Sequence, residues 1–507
     1  MPLTAHAQTQ ATTADALLRL LQVLRDRGSI SVAEYEELRL VATASEPPPV
    51  SPAVALPASA PVQGARVAPS PAPGLDAWVE TPEALLSQPS AQPAAQAAAA
   101  VPSLAAPAAV PAQAAPAAAA QAATADLVQQ ALAGKWYERI GLRGYTQFRL
   151  SDVLSSEGAP VLVPSDRSVN ENESFMIRRG RFVFSGDPTE HLALYAQMDF
   201  NGSTGAADYS LQMRDLYADV SFDAAKTFRA RLGQSKVPFG FVNLQSSQNR
   251  AALERPDALN SAVEGERDLG AYLMWAPVRA RQVFRDAANR AVKGSGDYGV
   301  VAVGVFGGQG LNRSDQNGDL HWVARASYPF SVGGQIVELG VQGYTGAFVT
   351  PTQAITIDGA SVTPGQQAGG VTDERVGVTA VWYPKPFGLE AEWNVGRGPT
   401  LSADRRTVES ASLSGGYVQL HYRQAGTAGI WFPFTRWQYY DGGRKFARNA
   451  PRVRVNELDL GLEFAKWAEV EVTMMYTHTF RRTQSSTFPY LDARNANRVG
   501  FQVQWNY

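Results

Sequence analysis

The chain has 507 residues, 18% of them charged, with a formal net charge of −2 and no cysteine. Its mean hydropathy of −0.19 and the lack of any run of about 18 apolar residues exclude a bundle of transmembrane helices, and the missing thiols exclude disulfides, thiolate metal sites and cysteine nucleophiles. Charge divides unevenly: residues 1–133 hold 5 basic and 10 acidic side chains, residues 134–507 hold 40 basic and 37 acidic, and 33 of those 40 are arginine, the side chain best suited to gripping oxyanions.

Ala5-His6-Ala7 resembles the small-x-small end of a secretory signal cleaved before Gln8, so residues 1–7 are expected to be a signal remnant. Residues 8–43 read as a helical hairpin. Leu17, Leu20, Leu21 and Leu24 fall on one helical face, Arg27-Gly28-Ser29 ends that helix, and Ser31 with Glu34 forms a capping box that opens the next. So small a hairpin buries no core alone and is expected to pair with copies of itself or with a partner. Residues 44–133 are dominated by Ala, Pro, Ser and Gln. Such a linker does not offset its ordering entropy by burial and is expected to be disordered. Pro102, Pro107, Pro111 and Pro116 rule out a helical span in its Ala-rich part. Extended, it would reach on the order of 200 Å.

From Trp136 onward the apolar residues recur with period two. Leu192, Leu194, Ala196, Met198 and Phe200 alternate with Tyr195, Gln197 and Asp199; Leu458, Leu460, Leu462 and Phe464 alternate with Glu457, Asp459 and Glu463. Sixteen strands are predicted, near 137–150, 174–185, 191–200, 211–222, 227–236, 268–276, 298–306, 320–330, 335–346, 375–384, 387–396, 415–424, 430–440, 455–465, 468–479 and 497–507. Their connections alternate between short turns such as Gly186-Asp187-Pro188 and Val332-Gly333-Gly334 and long loops such as 151–173, 237–267 and 347–373. That alternation separates an outer-membrane barrel from a soluble sandwich, and a closed barrel leaves no open edge in lipid. Residues 134–507 therefore predict an all-β fold: a 16-stranded antiparallel transmembrane β-barrel, with the N-terminal extension in the periplasm. The stretch 277–296 breaks the rule, being long where a short turn is due. Its Arg279, Arg281, Arg285, Arg290 and Lys293 suggest a small basic helix at the inner rim. The last strand ends Val503-x-Trp505-x-Tyr507, with aromatic rings where a bilayer interface favours them.

The sharpest local signal is Arg231-Leu-Gly-Gln-Ser-Lys236-Val-Pro-Phe-Gly240, followed by Glu254-Arg255-Pro256 and Arg267-Asp-Leu-Gly270. With Ile177-Arg178-Arg179-x-Arg181, Gly304-Val-Phe306-Gly-Gly-x-Gly310 and Gly416-Tyr417-Val418-Gln419, this series resembles the phosphate-selective porin O and P family over about 134–507. The resemblance implies a trimeric, sixteen-stranded barrel passing small anions, in some members phosphate or polyphosphate, with a third loop (about 237–267) folded inward as the constriction. It implies an anion pathway through Arg143, Arg179, Arg181, Arg231, Lys236, Arg250 and Arg255. The terminal aromatic strand also resembles the signal read by the barrel-assembly machinery.

Strand parity supplies a second view of the lumen. The inward positions of strands one to five hold Arg139, Arg143, Arg149, Arg179, Arg181, Arg229 and Arg231 against Asp199, Asp215 and Asp219, while later strands hold Arg325, Arg375, Arg423, Arg436 and Arg498 against Glu338, Glu390, Glu392, Glu457, Asp459, Glu463, Glu469 and Glu471. One basic and one acidic wall are expected, with a transverse field between them. Enzymatic readings gain no support: Glu390 and Glu392 share one face of a strand as ordinary polar positions, the five His are scattered without ligand spacing, and no phosphate-cradling glycine loop occurs. No cofactor, metal or nucleic-acid partner is expected. The expected function is passive diffusion of small anions across the outer membrane, with membrane lipid around the barrel. The alternative is a general or carbohydrate-preferring porin whose extension tethers it to peptidoglycan.

Overall fold

The computed structural model describes residues 140–157, 175–201, 210–289, 292–484 and 491–507, together with Gln22, Asp166, Ser168 and Val169. The expected signal remnant, hairpin and linker (1–133) lie outside the described residues, Gln22 apart. Sixteen antiparallel strands form one closed sheet: β1 (Ile140–Glu157), β2 (Met176–Gly186), β3 (Leu192–Asn201), β4 (Ser210–Ser221), β5 (Phe228–Lys236), β6 (Arg267–Trp275), β7 (Val301–Phe306), β8 (His321–Val332), β9 (Gln335–Phe348), β10 (Val371–Trp382), β11 (Phe387–Leu401), β12 (Val408–Tyr422), β13 (Gly429–Gly443), β14 (Arg452–Trp467), β15 (Val470–Gln484) and β16 (Leu491–Asn506). A short segment, Gln424–Gly426, carries the β12 ladder on along β13. Every strand expected from the period-two pattern is present.

The parity that predicted the strands also explains which face meets lipid. In β10, Thr372, Val376 and Val378 are exposed while Asp373, Arg375 and Thr379 are buried. Leu142, Leu232, Leu273, Trp322 and Met474 on the outer wall are more than half exposed. Such a surface is costly in water and matched in hydrocarbon. The short connections gather at one end. The tightest is Gly333-Gly334, with φ of 58° and 76°; two successive left-handed residues suit a two-residue hairpin whose twist follows the strands.

The exceptional connection between β6 and β7 is a helix, Val278–Asn289. Ala280, Phe284 and Ala287 form its buried stripe, and Ala287 packs with Phe241, Val292, Ile336, Val381 and Tyr383. Arg281 donates to Asp297 at 2.8 Å and to the carbonyls of Ala225 and Lys226 at 2.8 and 2.7 Å. The basic helix expected at the rim is thus fastened to the short-turn end of the barrel.

The barrel closes where β16 returns to β1, from Tyr145 opposite Asn506 to Glu157 opposite Asn495. The terminal residue completes the seam. Gly144 N–H donates to the Tyr507 carbonyl at 2.6 Å, Tyr507 N–H donates back at 2.9 Å, and the Tyr507 hydroxyl donates to the Arg181 carbonyl at 3.2 Å. A Cβ on Gly144 would stand 2.2 Å from the Arg181 carbonyl and 2.5 Å from the Tyr507 ring. Gly144→Val should unseat Tyr507 and cost about 1–3 kcal/mol. Heat-dependent electrophoretic mobility should show a lower unfolding temperature, whereas Tyr507→Phe, which keeps the ring, should stay near the parent. Equal heat resistance of Gly144→Val would refute the role given to this seam.

Candidate functional site

The connection 237–266 between β5 and β6 turns into the barrel. Its neck is closed by Val237 N–H on the Glu266 carbonyl at 2.9 Å. Gly240 makes the turn inward with φ 80°, and a Cβ there would lie 2.8 Å from Leu259 Cδ1, so only glycine lets the segment fold back on itself. Val237, Phe239, Val242, Leu259 and Val263 then pack against Tyr272, Phe306, Tyr344, Tyr417 and Tyr440 of the wall.

Polar contacts fix the segment to both sides of the lumen. On one side, the Glu392 carboxylate accepts the N–H groups of Phe241 and Val242 at 2.6 and 2.8 Å and the Tyr417 hydroxyl at 3.1 Å. Arg375 donates to the Ala258 carbonyl at 2.9 Å, and Arg481 grips Asp257 with two bonds of 3.1 and 2.8 Å. On the other side, Glu254 sits among Arg149 (2.6 Å), Arg178 (3.0 Å) and Arg179 (2.9 Å). Burial opposes ionisation of Glu254, but Arg178, Arg179 and Arg149 outweigh it and hold its carboxyl well below the usual range. This stabilisation is complete above the ordinary glutamate pKa and is lost only as pH falls through the depressed value, so the anchor persists across neutral and mildly acidic pH.

The inward loop and its neighbours hold five of the seven expected pathway residues. Arg179 also donates to Gln147 at 2.6 Å. Arg181 donates to the Tyr145 hydroxyl at 2.7 Å, Ser247 Oγ at 3.1 Å and Asp199 at 3.1 Å. The Lys236 ammonium donates to the carbonyls of Leu244 and Gln245 at 2.7 and 3.2 Å, holding the end of the helical turn Phe241–Leu244. Arg255 clamps the loop internally, through Asn243 and Asn260 at 2.6 Å each and Glu266 at 2.7 Å. Arg250 lies 3.9 Å from Glu266. Of the other two, Arg231 pairs with Asp219 through two 2.7 Å bonds nearer the short turns and stacks over the Tyr217 ring at 4.0 Å. Arg143 is half-buried near the short-turn rim, away from the cluster.

Two buried arginines escaped the parity reading. The β1–β2 register shifts between Gln147 and Phe148, leaving Arg178 in a bulge, and the β3–β4 register shifts between Gln197 and Met198, leaving Arg214 in another. Each bulge buries consecutive charged residues, Arg178 with Arg179 and Arg214 with Asp215. The signal lies in the apolar spacing, which jumps by three from Ile177 to Gly180 and from Met213 to Leu216. Arg214 is fully buried, 4.0 Å from Asp199. Among the described residues its Nε and Nη2, with Gln197 Nε2, Tyr217 OH, Arg231 Nη1 and Ser235 Oγ, have no protein hydrogen-bond partner. These groups lie on the inner face of β3–β5, and one carboxylate atom, Asp199 Oδ1, stands among them.

The expected acidic wall is corrected by its partners. Arg325 pairs with Glu338 at 3.0 Å, Arg436 with Asp459 at 2.7 Å, Arg481 and Arg498 with Glu457 at 3.0 and 3.2 Å, and Lys293 with Glu463 at 2.5 Å. That wall is partly neutralised in place: the expected Arg325, Arg436 and Arg498, with Arg481 and a lysine from the β6–β7 connection, reach carboxylates of nearby strands. Basic excess remains around the inward loop, on the β1–β6 side.

A sequence model of the family described as phosphate-selective porin O and P matches residues 161–507. Comparison with curated protein sequences gives no match. Solved structures with a similar fold include the outer membrane channel DcaP of Acinetobacter baumannii (TM-score 0.45, 13% identity, 73% of this chain and 97% of that chain). They also include the trimer form of OmpT of Vibrio cholerae (0.42, 10%, 73% and 99%) and an anion-selective porin from Comamonas acidovorans (0.40, 10%, 73% and 99%).

Removing the shared counter-charge tests the loop anchor. Glu254→Gln leaves Arg149, Arg178 and Arg179 facing one another without their common carboxylate and should destabilise the barrel by about 3–5 kcal/mol. Single-channel recording should show altered conductance with a shift toward anions. Unchanged conductance and heat resistance would mean that Glu254 does not hold the loop.

Proposed function

The chain belongs to the phosphate-selective porin O and P family, and on that premise we propose that this outer-membrane porin is a passive diffusion channel for small anions, phosphate and polyphosphate among them. The observation that carries the proposal is the donor-rich inner face of β3–β5. Arg214, Arg231, Gln197, Tyr217 and Ser235 hold buried N–H and O–H groups that no acceptor among the described residues takes up. Guanidinium N–H groups donate and never accept. An anion that reached this buried face with its water shed would meet a cluster of donors, while a cation there would meet chiefly Asp199. The arginines bound to Glu254 supply the basic field behind it. In this reading Lys236 and Arg255 shape the constriction by holding the loop, and Arg179, Arg181 and Arg250 set its charge.

A second reading, a general or carbohydrate-preferring porin, is favoured by the stacked Tyr195 and Tyr217 rings on the same inner face, 5.1 Å apart. Liposome swelling with neutral sugars against phosphate separates the two readings. We further propose a homotrimer, and a periplasmic role for residues 8–133 as an envelope tether, with peptidoglycan as a candidate contact. The barrel's first strand begins at the short-turn end, the end that faces the periplasm in outer-membrane barrels.

Reversal potentials in a salt gradient test the anion reading. The parent should favour chloride over potassium, and Arg214→Gln should lower that ratio without closing the channel. Added phosphate should reduce the chloride current of the parent more than that of Arg214→Gln. A cation preference in the parent would overturn the proposal. Deleting residues 8–125 should leave conductance intact; dissociated subunits after the deletion would make the extension an assembly element instead of a tether.

A further inference from the structure

The outer wall is as uneven as the lumen. On the outer faces of β2–β9, among the described residues, no arginine or lysine occurs. At the long-loop end of β10–β15 the outer face instead carries Arg397, Arg452, Arg454 and Arg482, against Glu374 and Asp441. These charges lie just beyond an aromatic band in which Trp393, Trp437 and Tyr439 stack at 6.1 to 6.5 Å. Trp437 Nε1 donates to Asn456 at 2.8 Å. Below that band the wall is Leu458, Leu460 and Leu462, all exposed. Rings with a polar edge followed by cations mark the level where hydrocarbon gives way to headgroups.

The register within this patch is unusual. Arg454 stands directly opposite Arg482 across the β14–β15 ladder, and like charges in that relation repel. Asp441 answers only part of the charge: it binds Arg452 at 2.8 Å and Arg454 at 2.7 Å. Among the described residues Arg482 has no carboxylate partner and flanks the Phe480 ring at 5.0 Å. Arg482, with no carboxylate partner among the described residues, and Arg454, which shares Asp441 with Arg452, leave net positive charge at this level for the oxygens of a phosphate.

We propose that this patch binds the phosphorylated headgroup of an outer-leaflet glycolipid, with Arg454 and Arg482 on the phosphate and the acyl chains lying along Leu458, Leu460 and Leu462. Charge complementarity selects the headgroup, and the continuous apolar wall beneath selects a lipid over a free anion. The assignment concerns the outside of the barrel and is independent of which solute crosses the lumen.

The test uses the full chain in detergent, with bound lipid counted by native mass spectrometry during titration with a bisphosphorylated diglucosamine lipid and with its dephosphorylated counterpart. The phosphorylated lipid should bind at least about tenfold more tightly, and Arg454→Gln with Arg482→Gln should remove most of that preference. Conductance and heat-dependent mobility of the double variant should match the parent. Should the double variant fold poorly, Arg482→Glu alone should show the same loss. Equal affinity for the two lipids, undiminished preference in the folded variants, or displacement of the lipid by millimolar inorganic phosphate would each overturn the proposal.

Discussion

Hydrocarbon offers no hydrogen bonds, so every backbone N–H and C=O within the bilayer must find its partner in the chain. The ladder here meets that demand by closing β16 on β1. Closure then dictates everything inside. With both neighbours of each strand occupied, alternate side chains can point only to lipid or to the lumen. The outward set is uniformly apolar across most of the wall, which forces the chain's charge inward. The crowded lumen is therefore a consequence of the membrane before it is a device for transport.

A lumen rich in charge needs internal compensation. Isolated buried ions are expensive, and pairs hold only where geometry and further hydrogen bonds are good. The structure answers differently on its two sides. On β13–β16, arginine and carboxylate sit on neighbouring strands and neutralise each other, as Arg436 does with Asp459 and Arg481 with Glu457. On β1–β2 the carboxylate is delivered from outside the sheet by the inward loop: Glu254 serves three arginines at once. The same contact that lowers the cost of burying those arginines holds the constriction in position. One carboxylate thus serves both the barrel wall and the inward loop.

The fold was legible because its governing period is short and strictly kept. Sixteen strands and the basic segment between β6 and β7 follow from alternation and connection length, whereas the inward third loop is what the resemblance carried by the Pro-Phe-Gly motif implies. The lumen was legible only in part. Parity assigns a side to each residue but is blind to a register slip, so Arg178 and Arg214 were missed where the apolar spacing jumps by three. Parity also counts charges without pairing them. Lys236 and Arg255 were expected to face a solute, yet their partners are loop carbonyls and loop side chains, contacts made between residues that no strand periodicity relates. The acidic wall looked strong for the same reason: Lys293, from the connection after the rim helix, reaches Glu463 across a sequence distance that carries no pattern.

The two bulges tie this gap in legibility to the chemistry. A regular strand spaces inward side chains at every second residue, which sets an upper limit on charge per strand. A bulge lifts that limit locally by turning consecutive residues to one face. Here both bulges fall at the level of the inward loop, and both add an arginine, Arg178 beside Glu254 and Arg214 beside Asp199. The first is consumed in anchoring the loop. The second has no such duty: its nearest carboxylate is 4.0 Å away and already accepts from Arg181 at 3.1 Å. A fully buried guanidinium with no closer carboxylate among the described residues costs stability that a neutral side chain would spare. Its place on the inner face of β4, among donors that find no protein acceptor in the described residues, is accounted for if the proposed anion supplies the missing contacts transiently. On that argument the bulge at Arg214 marks the transport path and the bulge at Arg178 marks its fixed wall.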